Sequence, residues 1–217
     1  MTEPAGRVKR RYNSATRREQ AAGTRSHILG VAAHLFAERG YGGTTMESIA
    51  AAAEVGVATV YANFGTKAAM VGALVDQITG DQRFDMRLVI DEPDLDRALR
   101  RGAAMMRELH ERSAALTDLL RSARGQEPVL ENLWRRWQAQ HLTAMRQTAQ
   151  WLNRRGLLRA GLRADEATDV LYALAGAETY RELVRERGWS PRRYQAWLEE
   201  ASRRLLIDDP ARSTKRR

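Results

Sequence analysis

A helical period governs nearly the whole chain, and no segment carries a convincing period of two. Apolar side chains recur three and four residues apart in Ile28, Val31, Ala32, Leu35 and Phe36, again in Leu95, Leu99, Ala103, Met106 and Leu109, and again in Leu130, Leu133, Trp134, Trp137, His141, Met145 and Leu152. Such spacing places residues on one face of a helix, whereas a half-buried strand alternates. Sheet architectures are thereby excluded, and the pattern predicts an all-α fold of about nine helices. Gly40, Gly156 and Gly188 end stripes, while Pro93, Pro128 and the pair Ser190 and Pro191 suit helix starts.

Three short, close-set helices come first. One carries the Ile28 to Phe36 stripe. Thr44 or Thr45 can cap the second, with Thr44 and Glu47 at capping-box spacing, and its inward face is Ile49, Ala50 and Ala53. The third runs from Gly56 to about Asn63 and buries Val60 and Phe64 toward Ile49 and Phe36. Two short helices joined by a tight turn predict a helix-turn-helix unit. The expected organisation is a small three-helix unit over 17–66 and a larger helical unit over 67–207, which the family resemblance given below makes a DNA-binding domain and a ligand-binding and dimerisation domain. Residues 1–16 and 208–217, polar and basic, read as a disordered arm and tail.

Charge points the same way. Thirty-six lysines and arginines against 27 acidic residues leave a formal charge of +9, which favours a polyanionic partner. The basic residues are nearly all arginine, with lysine at Lys9, Lys67 and Lys215; two of these sit in the tails, so Lys67 stands alone in the body of the chain. The absence of cysteine excludes disulfides, thiol catalysis and cysteine-ligated zinc. His110 and His141 lie on or beside apolar stripes without companion ligands, so neither metal nor cofactor is expected. No apolar run approaches a membrane span, and the basic N-terminus lacks the apolar core of a secretory signal; the expected address is cytoplasmic, with no membrane partner. Neither a nucleophile elbow, a phosphate loop nor a paired-carboxylate motif is present, so the chain is not expected to be an enzyme.

The stretch "VGVATVYANFGTKAAM", residues 55–70, gathers the candidate chemistry. Tyr61 and Asn63 lie off the buried face and can donate to phosphate oxygens. Lys67 opens the next helix, where backbone N–H groups favour an anion. The longer segment "ILGVAAHLFAERGYGGTTMESIAAAAEVGVATVYANFGTKAAM", residues 28–70, resembles the N-terminal domain of the TetR/AcrR family of transcriptional regulators, and "GWSPRRYQAWLEEASRRLL" is similar to the end of many members. The resemblance implies a dimeric, ligand-responsive regulator, usually a repressor, on a palindromic double-stranded operator. It places Thr45 near a phosphate, Val57, Ala58 and Thr59 at the base-reading end, and Tyr61, Asn63, Lys67 and more weakly Tyr41 at backbone contacts. Two positions depart from the family's Ala-Gly-Val-Ser turn: Glu54 replaces the glycine and Gly56 the capping serine. The apolar base-reading residues suit thymine methyl contacts and readout of DNA shape.

In the C-terminal body the resemblance implies an effector pocket among the middle helices. Met105, Met106, Trp134, Trp137, His141 and Met145 are the candidates, although their spacing equally fits an ordinary core. A small apolar effector is expected. Small residues in the last two helices permit close packing, and the resemblance implies a homodimer built there as a four-helix bundle; Leu174, Ala177, Glu178, Tyr194, Trp197 and Ala201 are the candidate interface. The helix from Lys67, which touches both units, is the expected lever between effector and DNA. Two other readings stand beside this one: an all-α enzyme acting on an apolar substrate, and an architectural DNA-binding protein with a solid core and no effector.

Overall fold

The computed structural model describes residues 6–208, with side chains from residue 17 onward. Among them the architecture is helical throughout: α1 Gly6–Arg39, α2 Met46–Ala52, α3 Val57–Phe64, α4 Lys67–Thr79, α5 Arg87–Ile90, α6 Leu95–Ala123, α7 Pro128–Arg154, α8 Ala164–Leu174, α9 Ala177–Tyr180 and α10 Pro191–Leu206. The all-α expectation holds. No helix among the described residues is long and apolar enough to cross a membrane.

The N-terminal arm is shorter than the composition suggested. Helix α1 begins at Gly6, so the backbone over 6–16 is helical where an unstructured arm was expected. Arginine and lysine are good helix formers, and after Pro4 nothing breaks the run, so an established helix propagates backward through it. Residues 1–5 of that arm, and the expected tail beyond Asp208, lie outside the described residues.

The chain divides into two compact units, one ending at Asp76 and the other beginning at Gln77, rather than at residue 66. The reason is packing: Ala68, Met70, Val71, Leu74 and Val75 of α4 are buried, and the helix belongs to the first unit for most of its length. The core of that unit is completed by Ile28, Ala32, Leu35, Phe36, Ile49, Val60 and Phe64. As the spacing predicted, α3 buries Val60 and Phe64 alone.

In the second unit, α6 runs on beyond the Leu95 to Leu109 stripe as far as Ala123, because Leu109 to Leu116 contains no breaker. Conversely the stretch that Gly188 ends is not one helix. Helix α8 stops at Leu174, Ala175 is its cap, and Gly176 restarts the chain as α9, which widens into a π-helical turn over Arg181–Glu186. Gly176 suits this close approach: a Cβ would lie 3.0 Å from the Tyr172 carbonyl oxygen, tighter than an ordinary contact. The predicted starts at Pro128 and at Ser190 with Pro191 hold, and the Ser190 hydroxyl accepts from the Arg193 N–H at 3.2 Å.

Candidate DNA-recognition helix and effector cavity

The second helix is capped by Thr45 and Ser48. The Thr45 hydroxyl accepts from the Ser48 N–H at 3.1 Å, and the Ser48 hydroxyl oxygen accepts from the Thr45 N–H at 3.1 Å. The capping box therefore sits one residue later than the Thr44 and Glu47 spacing suggested. Thr44 is buried instead, with its hydroxyl directed at the Gly40 and Leu35 carbonyls at 2.8 and 3.2 Å. Thr45 remains exposed at the mouth of α2, as a phosphate contact requires.

Helix α3 presents Val57, 38% exposed, and Tyr61, 46% exposed, together with exposed Ala58. These are large apolar groups left in water by a helix whose other face is fully used. Thr59 is half-buried. Asn63 is also half-buried, and its amide donates back to the Thr59 carbonyl at 2.8 Å, holding the side chain along the helix. Arg25 of α1, which the sequence reading missed, donates to the Asn63 carbonyl, and its guanidinium lies 4.1 Å over the Phe64 ring. An exposed arginine beside the end of the recognition helix adds a cation that periodicity does not single out.

Two of the expected contacts are placed otherwise. Tyr41 is 4% exposed, with its ring 6.0 Å from Phe36 in a stacked arrangement; it is a core residue, not part of the exposed face. Lys67 is half-buried. Its ammonium donates to the Tyr41 carbonyl at 2.7 Å and the Thr44 carbonyl at 2.8 Å, and sits 4.1 Å over the Tyr41 ring. It fastens the start of α4 to the loop between α1 and α2.

The turn between α2 and α3 carries a cost. Glu54 has φ of +54°, the left-handed region that disfavours side chains, and Gly56 caps α3 with no side-chain hydrogen bond. Glu54→Gly is expected to stabilise the N-terminal unit by about 1 kcal/mol and to tighten DNA binding at low salt by removing a carboxylate from the turn. Urea unfolding and fluorescence anisotropy check the two effects; a destabilised variant would show that the turn is unstrained.

The second unit encloses a cavity of about 550 Å³. All six candidates, Met105, Met106, Trp134, Trp137, His141 and Met145, line it. So do residues the sequence reading missed: Ile78 and Thr79 at the end of α4, Phe84 and Met86 from the irregular segment before α6, and His110 and Tyr172. Burial holds both histidines neutral. His110 is pushed down to about 4, chiefly by desolvation, and His141 is lowered for the same reason.

The expected dimer interface is divided. Ala177 and Glu178 line the cavity, and Glu178 pairs with Arg181 at 3.0 Å. Tyr194 is fully buried in its own chain's core, donating to the Leu174 carbonyl at 3.3 Å, and so cannot face a partner. Its ring packs edge-on against Tyr180 at 4.9 Å and His110 at 6.1 Å. Leu174, Trp197 and Ala201 stay half-buried.

With this geometry in place, the likenesses to known proteins are specific. Residues 28–74 match the family described as bacterial regulatory proteins, tetR family. The chain is 41% identical over 68 residues to the HTH-type transcriptional repressor Rv3405c of Mycobacterium tuberculosis, and equally to the HTH-type transcriptional regulator Mb3439c of Mycobacterium bovis. That match spans 31% of this chain and 35% of each of these curated relatives. Among solved structures, SmeT in complex with triclosan superposes with a TM-score of 0.72 at 20% identity, over 87% of this chain and 93% of that one. NalD, the secondary repressor of the MexAB-OprM multidrug efflux pump in Pseudomonas aeruginosa, gives 0.64 at 23% identity, over 88% and 99%. These two are likenesses of fold, and they extend well beyond the matched segment. Over its N-terminal segment, residues 28–74, the chain is therefore similar to bacterial regulatory proteins of the tetR family, among them HTH-type transcriptional regulators.

Proposed function

We propose that the chain is a ligand-responsive transcriptional repressor that binds a palindromic operator as a homodimer and is released by a small, mainly apolar effector. The observation that carries this reading is α3: a helix whose buried face is spent on Val60 and Phe64 while Val57, Ala58 and Tyr61 stand in water. In the major groove, Val57, Ala58 and the Thr59 methyl meet thymine methyl groups. Thr45, Tyr61, Asn63 and Arg25 hold phosphates, and Lys67 sits at the N-terminus of α4, where its remaining N–H and the helix end serve the same anion.

The cavity supports the effector half of the proposal. It argues against a purely architectural protein, whose core would be solid. The names of the relatives agree with it: NalD and Rv3405c are repressors, and SmeT holds triclosan. Helix α4 carries Lys67 at one end and the cavity residues Ile78 and Thr79 at the other, so a ligand that prefers one position of this helix biases the other end. Leu174, Trp197 and Ala201 serve the dimer contact.

Selection of binding duplexes from a random pool tests the reading. The expected product is a palindrome with half-sites about one helical turn, or a multiple, apart. Affinity should fall steeply with salt; Tyr61→Phe should weaken all sites alike with the salt slope unchanged, whereas Arg25→Ala should flatten that slope by about one. Enrichment of no palindrome would overturn the operator reading.

A further inference from the structure

We infer that the cavity is built for an uncharged, largely aromatic molecule bearing a hydroxyl group, a phenol, whose O–H donates to Nε2 of His141. This rests on the effector reading above and names the ligand class. Three observations converge on it.

The first is an orphaned atom. Nε2 of His141 is buried and finds no hydrogen-bond partner in the protein. The ring's other nitrogen is committed, since His141 hydrogen-bonds the backbone of Tyr172, and the two rings pack 5.0 Å apart. A neutral imidazole that donates through Nδ1 carries a lone pair on Nε2 and can only accept there. Buried polar atoms left unpaired are rare and costly. This one belongs to a residue of the cavity wall, so the missing partner is a donor brought by whatever fills the cavity.

The second is charge. Among the described lining residues, Glu178 is the charged side chain, and it is already neutralised by Arg181 at 3.0 Å and Arg121 at 3.8 Å. A cationic or anionic ligand would be desolvated with no counter-ion to meet it. His110 commits its Nε2 to the Ala175 carbonyl at 2.8 Å, whereas Nε2 of His141 has no such bond.

The third is shape and surface. Trp134, Trp137 and Phe84 on the wall offer faces for offset or edge packing of another ring. Gln138, three residues before His141 on α7, lines the same cavity and can donate to the lone pairs of a hydroxyl oxygen. A group that both gives and takes a hydrogen bond, on an aromatic body, is a phenol.

A matched set of probes decides it: 4-phenylphenol, its methyl ether 4-methoxybiphenyl, and biphenyl, titrated into the full-length protein with binding followed by calorimetry and by quenching of tryptophan fluorescence. The wild type is expected to bind the phenol about tenfold more tightly than the ether. In His141→Phe the ratio should collapse to about one while the apolar probes still bind. His141→Gln, which keeps an acceptor, should restore part of the preference and guards against a variant that merely misfolds. Equal binding of phenol and ether by the wild type, or an unchanged preference in His141→Phe, overturns the hydroxyl assignment and leaves the effector cavity standing. Binding of none of the three to the wild type overturns the apolar-effector reading itself, and this inference with it.

Discussion

Lys67→Met is expected to destabilise the N-terminal unit by about 3 kcal/mol, a loss larger than a missing phosphate contact would cause in the unbound protein. The ammonium donates to two backbone carbonyls, those of Tyr41 and Thr44, and covers the face of the Tyr41 ring. Hydrogen bonds from a charged donor contribute roughly 1.5–3 kcal/mol each, and partial exposure of Lys67 lets water recover some of that in the variant. Methionine keeps most of the stem, so the loss reports the charge rather than the packing. Lys67→Arg should not rescue fully, since a planar fork does not reproduce a point charge directed at two carbonyls on one loop. That is a physical reason for a lysine in a chain that otherwise uses arginine. All five tryptophans lie beyond residue 76, so their fluorescence is blind to this unit. Amide hydrogen exchange over peptides spanning residues 41–66 is the appropriate measurement. Faster exchange there with an unchanged salt slope for DNA binding would make Lys67 a strut alone. A salt slope reduced by about one with unchanged exchange would make it a phosphate clamp alone and sink the stability prediction.

The same residue shows how far the sequence could be read. Its isolation among arginines marked it as special, and its position at the start of α4 was legible from Gly65 and Thr66. What was not legible was its direction: a side chain that long reaches solvent or folds back depending on where the 40–45 loop lies, and that depends on tertiary packing. Tyr41, placed at a backbone contact by the resemblance alone, is buried because Phe36 and Lys67 are brought against it. Glu54 was legible because turn geometry is local; it stands where a glycine is customary, and the chain adopts the positive φ that suits a glycine there. The cavity wall was half visible. Residues on the regular helices α6 and α7 announced themselves by spacing, but Phe84 and Met86 lie where the chain is irregular and carry no period. The break at Ala175 and Gly176 was hidden as well. A glycine alone is tolerated within a helix, and its need for close approach to the Tyr172 carbonyl is set by how α8 ends. Ala177 and Glu178, named for the interface, lie just past that break and line the cavity.

The break is also where acid should act. Between pH 7 and 4 the C-terminal unit is expected to lose about 3 kcal/mol of stability through His110. The ring is buried, donates from Nε2 to the Ala175 carbonyl, and packs against Tyr180 at 5.0 Å and Tyr194 at 6.1 Å. Desolvation lowers its pKa to about 4, with the bond to Ala175 opposing and nearby His141 assisting. In the unfolded chain a histidine titrates near 6.5. Between those values the unfolded state holds a proton that the folded state refuses, so stability is complete above about pH 6.5 and falls as pH drops toward 4. His141, lowered by its own burial, adds in the same direction. Asp81, held down to about 2 by Arg83, gives up its contribution below this window. Glu182, raised by the neighbouring Glu186, takes up a proton early and works in the opposite direction, so the difference between wild type and a His110 variant isolates the histidine. Urea titrations followed by tryptophan fluorescence read this unit, because every tryptophan lies within it. His110→Phe should be less stable at pH 7, having lost the bond to Ala175, and yet show a shallower pH slope. A wild-type midpoint that stays level across the window, or a variant with the wild-type slope, would sink the assignment. Because His110 both holds the Ala175 carbonyl and lines the cavity, acid that charges it should loosen the wall at α8 and α9 before the unit unfolds. Ligand affinity is then expected to fall along the same pH curve as stability.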